Sequence, residues 1–326
     1  MKISIIIPVY NVDRYLKKGL DSVLDQDLDS SDYEIICIND GSPDTCKTIL
    51  LDYQQKHSNL VFIDQENQGV SVARNAGLNI AKGKYILFLD GDDSLYPNVL
   101  GALYENAYSN NLDLLYLQVD YFDEDDSFKG TFQLDCTEGE ILSGFEHSRR
   151  GYIFGLYRRE LINSIRFEEG IPIAEDALFN IMVHSVAKRV FYNSFPSYKY
   201  LIRKGSALNS DLLYSQKTFL GYLKAMDVLV QYINQNQDDF SKEQLEYFNR
   251  PLYKFSELVL TTSIIPLLSI SRYRTFRKYI KEKKLTYLDF TVNKSVPFYS
   301  YHWMIFFSFH LLRSTKNKLK STSNAN

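Results

Sequence analysis

The chain has 326 residues, 45% of them hydrophobic and 24% charged, with a formal net charge of -3; it can bury a core of one large domain plus an appendage, and wholesale disorder is excluded. Its three cysteines, Cys37, Cys46 and Cys136, form neither a full disulfide set nor a pair at metal-ligand spacing, so a reducing, cytoplasmic setting is expected. The opening "MKISIIIPVYN" is too short an apolar run for a signal peptide, and no stretch reaches the roughly 18 to 20 apolar residues of a membrane-spanning helix.

In chain order, "ISIIIPVY" at 3–10 and "YEIICIND" at 33–40 are β-branched runs without polar alternation, as expected of strands buried on both faces of a parallel sheet. Between them "VDRYLKKGLDSVLDQ" carries Tyr15, Leu16, Leu20, Val23 and Leu24 at helical spacing. A helix around 44–57, a strand "LVFID", a helix over 70–82 and the strand "YILFLD" at 85–90 follow. This rhythm predicts a doubly wound α/β sheet with helices on both faces. Further on, "LDLLYLQVDYF" reads as a strand, "DEDD" at 123–126 as a turn, "RRELINSI" at 158–165 as a helix, and "EDALFNIMVHSVA" as another. Beyond Ser206 the pattern is one of amphipathic helices.

Ligands of open parallel sheets bind beyond the carboxyl ends of the strands, and here those ends are "PVYN", "NDGSPD" and "DGDD". Closely spaced carboxylates such as Asp90, Asp92 and Asp93 suit a hard divalent cation, Mg2+ or Mn2+, that also holds substrate phosphates; an ordinary Asp-Gly turn is the alternative. Asp40 either accepts a hydrogen bond from a nucleobase or starts the turn through Gly41. Tyr10 either stacks on a base or packs. Gly69 opens a helix whose N–H groups favour an anion, and Arg74 lies one turn further along it. "IPIAEDALFN" puts Glu175 and Asp176 at a helix start, where acids also serve as caps.

Taken together, "SIIIPVYN", "INDGSPD", "NQGVSVARNAGLNIAKGKYILFLDGDD" and "EDALF", in this order and spacing, resemble glycosyltransferase family 2, the nucleotide-diphospho-sugar transferases of the GT-A fold. The resemblance is strong over 2–110 and looser to about 205. It implies a Rossmann-like, mostly parallel sheet with flanking helices: a nucleotide-sugar-binding half (1–105), an acceptor-binding half (106–209) and a helical C-terminal extension (210–326). It also implies that Asp90 and Asp92 hold Mn2+ or Mg2+ against the donor diphosphate, Asp92 as the direct ligand. Asp40, Arg74, Pro8, Val9 and Tyr10 match positions around the nucleobase. Asp176 matches the base, with Glu175 in support, and a single displacement then inverts the sugar carbon. "YKYLIRKGSALN" resembles a segment that brings Arg203 and Ser206 over the diphosphate. Gly155 departs from the pattern, standing where many relatives carry Lys before Leu-Tyr.

The implied partners are a nucleotide sugar, with UDP-sugars leading, and a glycan or lipid-linked saccharide acceptor, without nucleic acid. From Arg272 onward twelve Lys and Arg face only Glu282 and Asp289, and "PFYSYHWMIFFSFHLLR" is dense in aromatics. Peripheral contact with the inner face of the plasma membrane through 272–320 is expected, against the alternative of a docked helix. Two rival functions are a nucleotidyltransferase, which would be expected to carry a basic Gly-rich loop after the first strand, and a catalytically idle sugar-nucleotide-binding scaffold.

Overall fold

Side chains of strand β1 (Ile3–Val9) alternate between two buried faces, which is why its sequence is continuously apolar. The computed structural model describes residues 1–132, 153–206, 211–264, 266–267, 269–283 and 285. On one face of β1, Ile3, Ile5, Ile7 and Val9 join a core with Leu16, Leu20 and Val23 of α1 (Asp13–Leu24), Cys46 and Leu50 of α2 (Cys46–Lys56), and Leu103 and Ala107 of α4 (Leu100–Ser109). On the other, α3 (Val70–Ile80) lies so close that a Cβ on Gly77 would meet Ile6 at 2.5 Å. There Phe88 of β4 (Tyr85–Phe88) packs edge-on against Phe179 of α5 (Glu175–Val186).

Among the described residues the sheet has nine strands. β3 (Leu60–Gln65), β2 (Tyr33–Asp40), β1 and β4 run parallel in that order. β8 (Gly155–Arg158) then pairs antiparallel with both β4 and β6 (Leu114–Asp123). β9 (Val190–Ile202) lies parallel to β6, and β5 (Ser94–Leu95) closes the order, antiparallel to β9. β7 (Phe128–Phe132) forms a hairpin on β6 through the acidic turn. The departure at Gly155 has a packing reason: a Cβ there would stand 2.8 Å from Leu114 and 3.0 Å from the Leu115 carbonyl oxygen.

Of the helix expected over 158–165, Arg158 instead ends β8 and 159–164 is a run of turns. Arg159 is drawn out of helical geometry because its N–H donates to the Lys84 carbonyl at 3.0 Å and its Nε to that of Gly83 at 2.7 Å. Ile162 and Ile165 are buried all the same.

The chain divides into two compact units, Met1–Ser206 and Ala207–Asn326. The second holds α6 (Gln216–Asn236), α7 (Lys242–Tyr247), α8 (Asn249–Leu258), a π-helical turn at Val259–Ile264 and α9 (Ile270–Glu282). Ser215, Ser241 and Ser269 cap α6, α7 and α9, each accepting the N–H three residues on, as these residue types do. Phe219, Tyr222, Phe248, Phe255, Tyr273 and Phe276 are buried in its core. Among the described residues no helix is long and apolar enough to cross a membrane. Most of the expected membrane-contact segment, 286–320, lies outside the described residues.

Candidate active site

In-register parallel pairing, with Val9 opposite Asn39 and Ile6 opposite Phe88, brings the loops after β1, β2 and β4 to one edge. The first two are laced together. Asn11, at φ 55°, donates its N–H to Ser42 Oγ at 2.7 Å, and the Asp13 N–H reaches Asp44 Oδ2 at 3.0 Å. Burial alone would raise the Asp44 pKa, but bonds from Ser42, Cys46 and Asp13 outweigh it and bring the value down to about 2. Tyr10 leaves this edge 49% exposed, Pro8 is half-buried and Val9 fully buried. The third loop comes in close below them: a Cβ on Gly91 would lie 2.9 Å from the Pro8 carbonyl oxygen, so only glycine permits the approach.

Asp40 is buried and does more than start a turn. Its Oδ1 accepts from Gln65 Nε2 at 2.7 Å and Gln68 N–H at 2.9 Å, its Oδ2 from Gly69 N–H at 2.8 Å. The anion expected at the opening of α3 is thus the protein's own carboxylate. These bonds, with Asn67 Nδ2 on the Asp40 carbonyl at 2.9 Å, fix the loop between β3 and α3.

Arg74 links two acidic groups that are far apart in sequence. It is 3% exposed; Nη2 meets Asp90 Oδ1 at 2.8 Å and Nη1 meets Glu175 Oε1 at 2.9 Å. Burial works against its charge, and the carboxylates of Asp90 and Glu175 more than restore it, raising its pKa. Beside Glu175, half-buried Asp176 is pushed up to about 7 by burial first and the Glu175 charge second. Ala174, the residue before the pair, holds a left-handed φ of 74°, a strained state for a residue with a Cβ. On the opposite flank Arg203 Nε meets Asp92 Oδ2 at 2.6 Å, and its guanidinium lies over the Tyr15 ring, 5.4 Å from the centroid. Asp92 is raised by burial and by the Asp90 charge. Ser206 is half-buried, one residue past Gly205 with its φ of 83°, at the end of the first unit.

Asp90 and Asp92 each commit one oxygen to an arginine. Among the described residues no three carboxylate, imidazole or thiol side chains gather as a metal cage. Two carboxylates with remaining oxygens fit a hard cation whose other ligands come from substrate phosphate and water. Asp93, the third acid of the expected cation cluster, instead accepts a hydrogen bond at 2.6 Å from Tyr198, a residue the sequence did not single out. For Tyr198 the Tyr-x-Tyr alternation of 198–200 was the available signal.

The model of the family described as "Glycosyl transferase family 2" matches residues 4–171. The uncharacterized glycosyltransferase EpsJ of Bacillus subtilis is 37% identical over 202 residues, 58% of this chain and 57% of that protein. The minor teichoic acid biosynthesis protein GgaB of the same organism is 31% identical over 317 residues, 92% of this chain but 34% of its own length. The chain therefore spans about half or less of the length of these relatives. A crystal structure of S. aureus TarS 1-349 in complex with UDP-GlcNAc superimposes with a TM-score of 0.69 at 20% identity, covering 87% of this chain and 80% of that one, a likeness of fold. Fold and family model agree, the model covering more than half of the residues, and the chain belongs to glycosyl transferase family 2, with the GT-A fold.

Proposed function

We propose that the protein is an inverting glycosyltransferase that moves a sugar from a UDP-sugar to a hydroxyl of a glycan or lipid-linked saccharide in the synthesis of a cell-surface polymer. The observation that carries this is Arg74: one buried guanidinium spans the Asp90 turn and the Glu175–Asp176 pair, so a diphosphate site and a base flank a common space. The uracil lies along Pro8 and Tyr10, whose exposed ring stacks on it, with the buried Val9 and Asp40 supporting that edge from behind. Arg74 serves the donor through Asp90. Asp92 and Asp90 would hold Mn2+ or Mg2+, which when bound supplies positive charge for the departing diphosphate. Arg203 and Ser206 cover that diphosphate.

Asp176, poised near neutrality, takes the proton of the acceptor hydroxyl. The acceptor oxygen attacks the anomeric carbon from the face opposite the diphosphate, the carbon–oxygen bond to UDP breaks, and the configuration inverts. Glu175, held by Arg74, keeps the pair in place. The named relatives support the polymer class: GgaB is a minor teichoic acid biosynthesis protein, and TarS binds UDP-GlcNAc. Work at the inner face of the plasma membrane is supported by the exposed Arg274, Arg277, Lys278 and Lys281 of α9, which recur at helical spacing and suit anionic lipid.

Thermal shift with a panel of UDP-sugars tests the reading. UDP should raise the melting temperature far more with Mn2+ than with chelator, and Asp92→Asn should remove that difference while the ligand-free protein stays folded. Equal stabilisation in chelator would remove the cation from the donor site.

A further inference from the structure

The 90–93 turn and the end of β9 are joined by more than the Asp92–Arg203 ion pair. The Tyr198 hydroxyl donates to Asp93 Oδ2 at 2.6 Å and accepts the Asp90 N–H at 3.2 Å. Asp93 Oδ1 accepts the Leu201 N–H at 2.8 Å. Water reaches neither residue to any extent: Asp93 is 3% exposed and Tyr198 0%. Directly after the turn, β5 pairs with the same stretch, Ser94 opposite Lys199 and Leu95 opposite Tyr198. From the other side α1 comes in at Gly19, where a Cβ would stand 2.8 Å from the Asp93 carbonyl oxygen.

A buried carboxylate is costly even when both oxygens are bonded. The turn itself does not require it, because the Asp93 N–H closes on the Asp90 carbonyl at 2.9 Å through backbone alone. What the Asp93 side chain adds is a bond to each of two places on β9, one at Tyr198 and one two residues before Arg203. Tyr198 in turn holds the backbone nitrogen of Asp90. The two cation-binding candidates and the arginine beside them are thereby referred to one buried pair.

We propose that Asp93 and Tyr198 are positioning residues that set the spacing of the Asp90 and Asp92 carboxylates for a divalent cation and the placement of Arg203 for the donor diphosphate. This rests on the donor-site reading above. Outer partners that orient ligands in this way control affinity without touching the ion. Tyr198→Phe deletes only the hydroxyl. Asp93→Asn leaves an acceptor for the Leu201 N–H but turns an amide N–H toward the Tyr198 oxygen, in competition with Asp90.

The experiment is calorimetric titration of the full chain with UDP across a Mn2+ series, for wild type and both variants, with melting temperatures alongside. In each variant the Mn2+ concentration for half-maximal UDP binding should rise about tenfold, while the melting temperature falls only about 2–4 °C. UDP binding should recover at saturating Mn2+. A lowered melting temperature with an unchanged Mn2+ midpoint in both variants overturns the positioning role and leaves the donor site standing. If one variant does not fold, the midpoint of the other decides in the same way. Wild-type UDP binding that ignores Mn2+ overturns the donor-site reading and the positioning role with it.

Discussion

Replacing Asp176 with Asn separates binding from chemistry. Asp176→Asn keeps size and most hydrogen bonding, so donor affinity should hold within a few-fold while transfer falls by roughly 10² to 10⁴, measured as turnover against a UDP-sugar. Its pKa of about 7 adds a stability signature. Between about pH 4 and 7 the native state binds more protons at this site than the unfolded chain, so its contribution to stability falls as pH rises through that window and stays lost above it. Asp176→Asn is free of that penalty. It should melt a few degrees above wild type at pH 8, with the gap closing toward pH 4, because one pKa unit is about 1.4 kcal/mol and partial exposure reduces the full value. Wild-type transfer should decline as pH drops below about 7, since only the carboxylate accepts the proton.

Two element contacts both favour glycine over alanine, against the ordinary helix preference. In α1, Gly19→Ala would ordinarily favour the helix by about 1 kcal/mol. The Asp93 carbonyl 2.8 Å from the new Cβ reverses the sign, and a loss of about 1–3 kcal/mol from overpacking is expected, read by denaturant unfolding. At the start of α5, Ala174→Gly relaxes a left-handed φ of 74°; it should stabilise by about 1 kcal/mol, while the freed Glu175–Asp176 pair lowers turnover. The strands of the first hundred residues were legible because burial on both faces makes them continuously apolar, the helices because each buries one face, and the positions of Asp90, Asp92 and Asp176 because they stand where such elements end or begin. The expected helix at 158–165 failed because its periodicity comes from burial of Ile162 within a run of turns and of Ile165 just after it. Glu175 lies 101 residues from Arg74 and Asp93 105 from Tyr198, and local pattern cannot pair residues that only the sheet order brings together.

For the molecule as a whole, removal of 296–326 takes away aromatics and four positive charges, Arg313, Lys316, Lys318 and Lys320, but no group of the candidate site. The shortened protein should bind UDP and melt as before, yet lose flotation with anionic vesicles, and full-length binding should weaken as salt screens the basic residues. A lower melting temperature without any vesicle binding by the full-length chain would instead make the segment a structural one. The insertion of β8 between β4 and β6 has a consequence during synthesis. β4 ends at Phe88 and its neighbour begins at Gly155, so roughly 65 residues must emerge before that edge is covered, about 3–13 seconds at 5–20 residues per second. For that interval the strand "YILF", paired with β1 on one side, presents its other edge uncovered and open to pairing with other chains. Ribosome-bound chains stalled before residue 155 should recruit chaperones, and those stalled well past β9 should release them.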